Sequence, residues 1–384
     1  MCDVTQEREY RNGREVCVVL DTNIWRSSQL LSDPVSAALL YALESVGARL
    51  GMPEVIEREV FKHGIEMGRI ARNQIEKNLR IIRALVGESP GIELPTDEMF
   101  ESAVTRRLTA LEGQFHRIPF TAEVALRALD RVDLKLPPSH AGQQYKDSAI
   151  WEHCVDLAHT FEVHLVSADK AFYQQNSFQQ GLETRLTQEL TTSGISVNLH
   201  PGMESVLTML TVDVADSLDA ATAANAIQEA IIIQVRATAE RSEQVVTDRQ
   251  RSEFEAFVTE QPGVLSVTFE LQYGLISTDP TLPESWITAE GQCLYRPASR
   301  ETYEVKLSEI TTHTRSESGI SQRRNVFAHV SAIIGSIPPV PHQVREPLPG
   351  GSGFALIEVT DSASGADGIE QIARPPHDDN FDQY

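Results

Sequence analysis

Cysteine is scarce in this chain. Only Cys2, Cys17, Cys154 and Cys293 occur in 384 residues, too scattered for the close spacing of a zinc site, and they fit buried or free thiols in a reducing cytoplasm. No apolar run approaches the length of a membrane span, and the opening MCDVTQEREYRNGRE lacks the apolar core of a signal peptide, so a soluble cytoplasmic protein with no membrane partner is expected. Basic residues are also short: 33 Lys and Arg face 55 Asp and Glu, a formal net charge of −22. That balance argues against a protein that coats nucleic acid by bulk electrostatics; a nucleic-acid partner would have to be held by local basic stripes and by metal. What the chain does have is ordinary apolar content, 41% of residues, and enough length for two sizeable cores.

Four acids stand out against this background. Asp21 closes the apolar run Val16 to Leu20, which reads as a buried parallel strand, and so lies at a strand's carboxyl end, where open α/β sheets place their ligands. Asp169 repeats the arrangement after Val163 to Ser167. Glu59 and Asp147 fall near the starts of two expected helices, each after a Pro- or Gly-containing connection. Carboxylates gathered in one pocket repel one another unless a cation joins them, and an all-oxygen set selects a hard ion, Mg²⁺ or Mn²⁺.

The expected fold is α/β. Asp33-Pro34 predicts a capped helix running to about Ser45, followed by a short strand at Ala48 to Met52. Pro53 opens the longest helical pattern, Glu54 to Val86, whose middle is weakened by Gly64 and Gly68. Further helices are expected at Asp97 to Arg117, Ala122 to Asp130, from Lys146, and around Asp169 to Gln175, with a last strand at Ile195 to Leu199. Beyond Pro201-Gly202 a helical stretch from Leu207 to about Gln250 precedes the alternating Leu265, Val267, Phe269 and Leu271 and a hairpin at Trp286 to Leu307, which predict an α+β domain with antiparallel strands. The expected division is an extension at 1–13, a first domain at 14–201, an α+β domain at 202–337 and a Pro/Gly-rich, acidic and partly disordered tail at 338–384, with an apolar patch at Phe354 to Val359.

Four segments together resemble the PIN domain nucleases, in particular a bacterial PIN-like group with a long helical insertion. They are Leu20-Asp21-Thr22-Asn23-Ile24-Trp25, Pro53 to Val60, Tyr145 to Trp151, and Leu165 to Phe172, and the likeness spans about residues 14–200. The resemblance implies a PIN-like domain, a parallel central sheet flanked by helices, and metal-dependent endonucleolytic hydrolysis of phosphodiester bonds in single-stranded RNA. It implies that Asp21, Glu59, Asp147 and Asp169 are the catalytic, metal-holding acids, with Glu54 and Glu57 competing with Glu59 for the second place. Asn23 and Ser167 would fix the carboxylates by hydrogen bonding, and Lys146 would meet a phosphate oxygen.

Substrate grip reads two ways. Arg69, Arg72, Arg80 and Arg83, with Lys62, recur along the long helix and could track a phosphate backbone, or they form a solvated face paired with Glu66 and Glu76. Arg315, Arg323 and Arg324 read as surface, and His153, His159 and His164 as core or surface residues. Trp25 and Trp151 could stack on a base but fit better as packing beneath the site. Alternatives on the same fold are a catalytically silent scaffold that binds RNA or protein, and a DNA nuclease. A phospho-acceptor fold would want an Asp where Asn23 stands. A homo-oligomer or a regulatory protein partner is left open, with the second domain assigned to targeting, regulation or assembly.

Overall fold

A computed structural model of the chain describes residues 14–88, 91–140, 144–210, 219–277, 285–316, 319–326, 346–347 and 354–355. The run VCVVL is buried at every position and forms β1 (Val16–Leu20) at the centre of a parallel sheet. Around it lie β2 (Arg49–Pro53), β3 (Phe115–Ile118), β4 (Glu162–Val166) and β5 (Val197–His200), in the order β3-β2-β1-β4-β5. A strand flanked on both sides and covered on both faces has no polar face to show, hence the continuous apolar sequence.

The helices follow from local signals. After the short α1 (Thr22–Ser27), Asp33 caps α2 (Pro34–Val46) by accepting from the Ser36 N–H at 2.9 Å, and Gly47 ends it in the left-handed region. α3 spans Glu54–Val86 without interruption. Its two central glycines are packing sites: a Cβ at Gly64 would stand 2.7 Å from Val104, and one at Gly68 2.5 Å from the Phe100 ring, so their bareness lets α4 (Asp97–Ala110) lie against α3. α5 (Ala122–Asp133), α6 (Tyr145–Leu157), α7 (Thr184–Ser193) and α8 (Met203–Leu210) complete the layers. Met203, Val206, Leu207 and Leu210 join the first core, which therefore runs past the expected break at Pro201-Gly202.

Three sequence expectations need correction. The helix expected to reach Arg117 ends at Ala110, and Phe115 to Ile118 form the edge strand β3. The ten-residue α7 was not anticipated, although Glu183 caps it and Gly194 closes it. The helix expected to reach Gln250 is instead α9 (Ala220–Glu240), followed by a long strand, β6 (Gln244–Val258).

β6 is one edge of a second, antiparallel sheet with β7 (Leu265–Ser277), β8 (Ser285–Arg296), β9 (Glu301–Ser316) and β10 (Gly319–Val326), ordered β10-β9-β8-β7-β6. The alternation at Leu265, Val267, Phe269 and Leu271 puts these side chains on one face, where Ala223, Ile227, Ile231 and Val235 of α9 cover them. α2 also touches β6, β7 and β8. There the start of α2 is held by the antiparallel strands: Gln292 of β8 accepts from the Val35 N–H at 2.9 Å and donates to Asp33 at 3.1 Å, and the Lys306 ammonium of β9 reaches the same carboxylate at 3.3 Å.

Cys17, Cys154 and Cys293 are buried, unbridged thiols. Trp25 and Trp151 are core residues, 1% and 0% exposed, so packing is their role. Among the described residues no helix is long and apolar enough to cross a membrane. Residues 1–335 cluster as one unit and 336–384 as another, in which β11 (Glu346–Pro347) pairs antiparallel with β12 (Phe354–Ala355). The expected disorder of the tail and the rest of its apolar patch lie outside the described residues.

Candidate active site

β1 and β4 run side by side with Leu20 opposite Val166, and the Asp21 N–H continues the ladder to the Val166 carbonyl at 2.9 Å. Asp21 is thereby fixed at the carboxyl edge of the central strand, 3% exposed. Its carboxylate does not cap α1; it accepts from the Ser167 hydroxyl at 2.7 Å. Ser167 is itself held by its neighbours, its N–H donating to the His200 carbonyl at 2.9 Å and its carbonyl accepting from the Tyr173 hydroxyl at 2.8 Å.

The other acids arrive from three directions. Asp169 follows β4, accepts from the Ala171 N–H at 2.8 Å to cap the short 3₁₀ turn Lys170–Phe172, and receives the Gln144 side-chain amide at 3.4 Å. Asp147 sits in the first turn of α6. Glu59, in the second turn of α3, accepts from the Thr22 hydroxyl at 2.9 Å and pairs with the Lys146 ammonium. Its rivals face elsewhere: Glu57 pairs with Arg117, and Glu54 accepts from the Phe120 N–H at 3.0 Å and pairs with Arg58.

The acids feel one another. Burial first, and then the charges of Asp21, Asp169 and Glu59, push the Asp147 carboxyl up to about 7, with Lys146 pulling the other way. Asp21 is also raised, by burial first; the Ser167 hydroxyl and the Thr22 N–H oppose this, and Asp169 and Glu59 add to it. A shift of that size in Asp147 means a cost of a few kcal/mol to ionise it, at about 1.4 kcal/mol per unit. As the side chains stand, no three His, Cys, Asp or Glu among the described residues are gathered tightly enough to grip an ion. The donor set nonetheless fits a hard divalent cation: carboxylates without sulfur or imidazole, mutually destabilised until a positive charge joins them.

The remaining expected residues divide. Ser167 touches Asp21 directly, whereas Asn23 is exposed on α1. Arg69 and Arg72 both pair with Asp97 at 2.8 Å, which ties the start of α4 to α3, while Arg80 lies 3.7 Å from Glu76. Two residues were not anticipated as contributors, Thr22 and Gln144, which hold Glu59 and Asp169. The signal for Thr22 was its place directly after the strand-ending Asp21; Gln144 carried none. His164 is buried against His200, Nδ1 to Nε2 2.9 Å, and burial lowers both imidazoles to about 4, so the nearby Glu162 faces a neutral ring. A cleft of about 650 Å³ lies apart from the four acids, between α5, α6 and α7, and is lined by the ion pairs of Arg127 and Arg131.

Residues 18–172 match a family described as the PIN domain. This stretch is a PIN domain. The PIN domain is a nuclease fold, generally dependent on divalent metal ions, and the match takes in all four acids while leaving β5 and the whole antiparallel sheet outside it. No curated protein matches the chain.

Proposed function

We propose that the protein is a metal-dependent endoribonuclease that hydrolyses phosphodiester bonds in single-stranded RNA. The observation that carries this reading is the gathering of four acids around a single lysine: burial first, and then the charges of Asp21, Asp169 and Glu59, raise Asp147, and a fold does not keep such a group for stability. Asp21, Asp147, Asp169 and Glu59 would hold Mg²⁺ or Mn²⁺, which when bound supplies Lewis acidity at a phosphoryl oxygen and lowers the pKa of water. The chain's own residues orient the acids. Ser167 fixes Asp21, the Ala171 N–H and Gln144 fix Asp169, and Thr22 fixes Glu59. Lys146, released from Glu59, would meet a non-bridging phosphate oxygen. Arg80, exposed and 3.7 Å from Glu76, is the candidate backbone contact on α3, since Arg69 and Arg72 already hold Asp97.

A second reading has one observation in its favour. The Lys146 ammonium rests on Glu59, as it would in a silent RNA- or protein-binding scaffold that had replaced an ion by a fixed cation. Cleavage separates the two. Labelled RNA and DNA of matched single-stranded sequence are incubated with Mg²⁺, Mn²⁺ or EDTA; cut RNA, intact DNA and complete loss in EDTA are expected. Equal cutting of DNA would make this a DNA nuclease, and no cutting of either polymer in either metal would favour the scaffold.

A further inference from the structure

The stripe that joins α3 to α4 does not stop where α4 does. Ile65 is buried, Gly68 lies under the Phe100 ring, and Arg72 reaches over the same ring while pairing with Asp97. These positions alternate by three and four residues, and the same alternation continues to Ile75, Leu79, Ile82 and Val86. α4 begins at Asp97, beside Arg69 and Arg72, so among the described residues the second half of the stripe has no helical neighbour. The described residues of the connection returning from α3 do not close over it either. Ile75, Ile82 and Val86 are 42%, 41% and 73% exposed, and Ile92 on the connection is 53% exposed. A helical stretch of this length with its apolar side left partly open is marginal in water, and an open seam of this spacing is built to receive another helix.

The flanking charges decide which helix fits. With Ile75 and Ile82 as the d positions of a heptad and Leu79 and Val86 as the a positions, the e positions are Glu76 and Arg83. In an antiparallel pair, e positions of one helix meet e positions of the other. Leu79 of one copy then layers on Ile82 of the other, Ile75 on Val86, and Glu76 of each copy faces Arg83 of the other. A parallel pairing would set Glu76 against Ala71 and Arg83 against Asn78, which match no charges. Glu76 already stands 3.7 Å from Arg80 within its own helix, an exposed, solvent-screened contact that a second partner can share. We infer that the protruding half of α3 is a self-association surface, on which a second copy of this chain lays its own α3 antiparallel.

Sedimentation velocity of the full chain over a concentration series tests this without reading activity. The wild type is expected to move from the 42.6 kDa monomer toward a species of twice that mass as concentration rises. Glu76→Arg and Arg83→Glu, each setting like charges opposite one another twice per dimer, should each weaken association roughly tenfold or more. The double swap Glu76→Arg/Arg83→Glu should restore it, because the pairs re-form with signs exchanged. Ile82→Asp should abolish association while leaving the thermal melt of the chain nearly unchanged, since the side chain is exposed and belongs to neither hydrophobic core. A wild type that stays monomeric throughout, or a dimer indifferent to the single charge reversals, or a double swap as weak as the singles, overturns the inference.

Discussion

Two groups of acids lie on helix α6 and its neighbours, and they are built on opposite plans. Glu152, near the middle of α6, is 5% exposed and shares its two oxygens between Arg127 at 2.6 Å and Arg131; Arg131 goes on to Glu189, and Arg127 to Asp156 at 2.5 Å. Every buried charge there has an opposite charge against it. One to two turns earlier on the same helix, Asp147 faces Asp21, Asp169 and Glu59, with a single lysine for the whole group. The first arrangement spends its charges on holding α5, α6 and α7 together. The second leaves them unspent, which is how a site for an external cation or a cationic transition state differs from a structural ion-pair network.

The largest difference between the two groups is expected in activity. Asp21→Asn and Asp147→Asn are each expected to lower RNA cleavage by about a hundredfold or more while leaving the circular dichroism spectrum intact, because a first-contact charge is lost without a cavity. Glu59→Gln should follow them and Glu57→Gln should not, since Glu57 is engaged by Arg117 away from the cluster. The opposite ranking of the two glutamates would move the second acid to Glu57.

The balanced network should respond in stability instead. Arg131→Ala leaves Glu152 buried with half its compensation gone and is expected to cost about 3–5 kcal/mol in urea unfolding. A loss below about 1 kcal/mol, the value of a surface pair, would show that the network is not what joins these helices.

A smaller effect of opposite sign is expected at the unbalanced group. The folded-state carboxyl of Asp147 sits near 7 against an ordinary 3.8, so between those values the folded chain keeps a proton that the unfolded chain has released. Stability in EDTA therefore falls as pH rises through that window. Asp147→Asn should reduce the fall, leaving the part due to Asp21, and melt a few degrees above wild type at pH 8, at about 2–4 °C per kcal/mol. Equal melting temperatures across the window would mean that the four acids do not strain the fold.

How much of this the sequence shows follows from the range of each interaction. β1 and its terminal Asp21 are legible because a central parallel strand needs an unbroken apolar run, and α3 because its apolar stripe repeats at helical spacing over 33 residues. β3 and β6 are edge strands, and much of each faces solvent, so neither has the burial that writes an alternating pattern into sequence. The end of α9 is equally silent, with Arg241 rather than a glycine or proline at its cap. Within the site, the acids could be proposed from their positions after strands and at helix starts. Their holders could not: Thr22 meets Glu59 across 37 residues and Gln144 meets Asp169 across 25, contacts that exist only once the sheet has brought the segments together.

Mn²⁺ binding followed by electron paramagnetic resonance asks whether the unbalanced acids form one cation site. Wild type is expected to bind Mn²⁺ saturably, Asp21→Asn and Asp147→Asn to bind it much more weakly, and Glu152→Gln, in the balanced network, to bind as wild type does. Equal Mn²⁺ affinity in wild type, Asp21→Asn and Asp147→Asn would contradict the account.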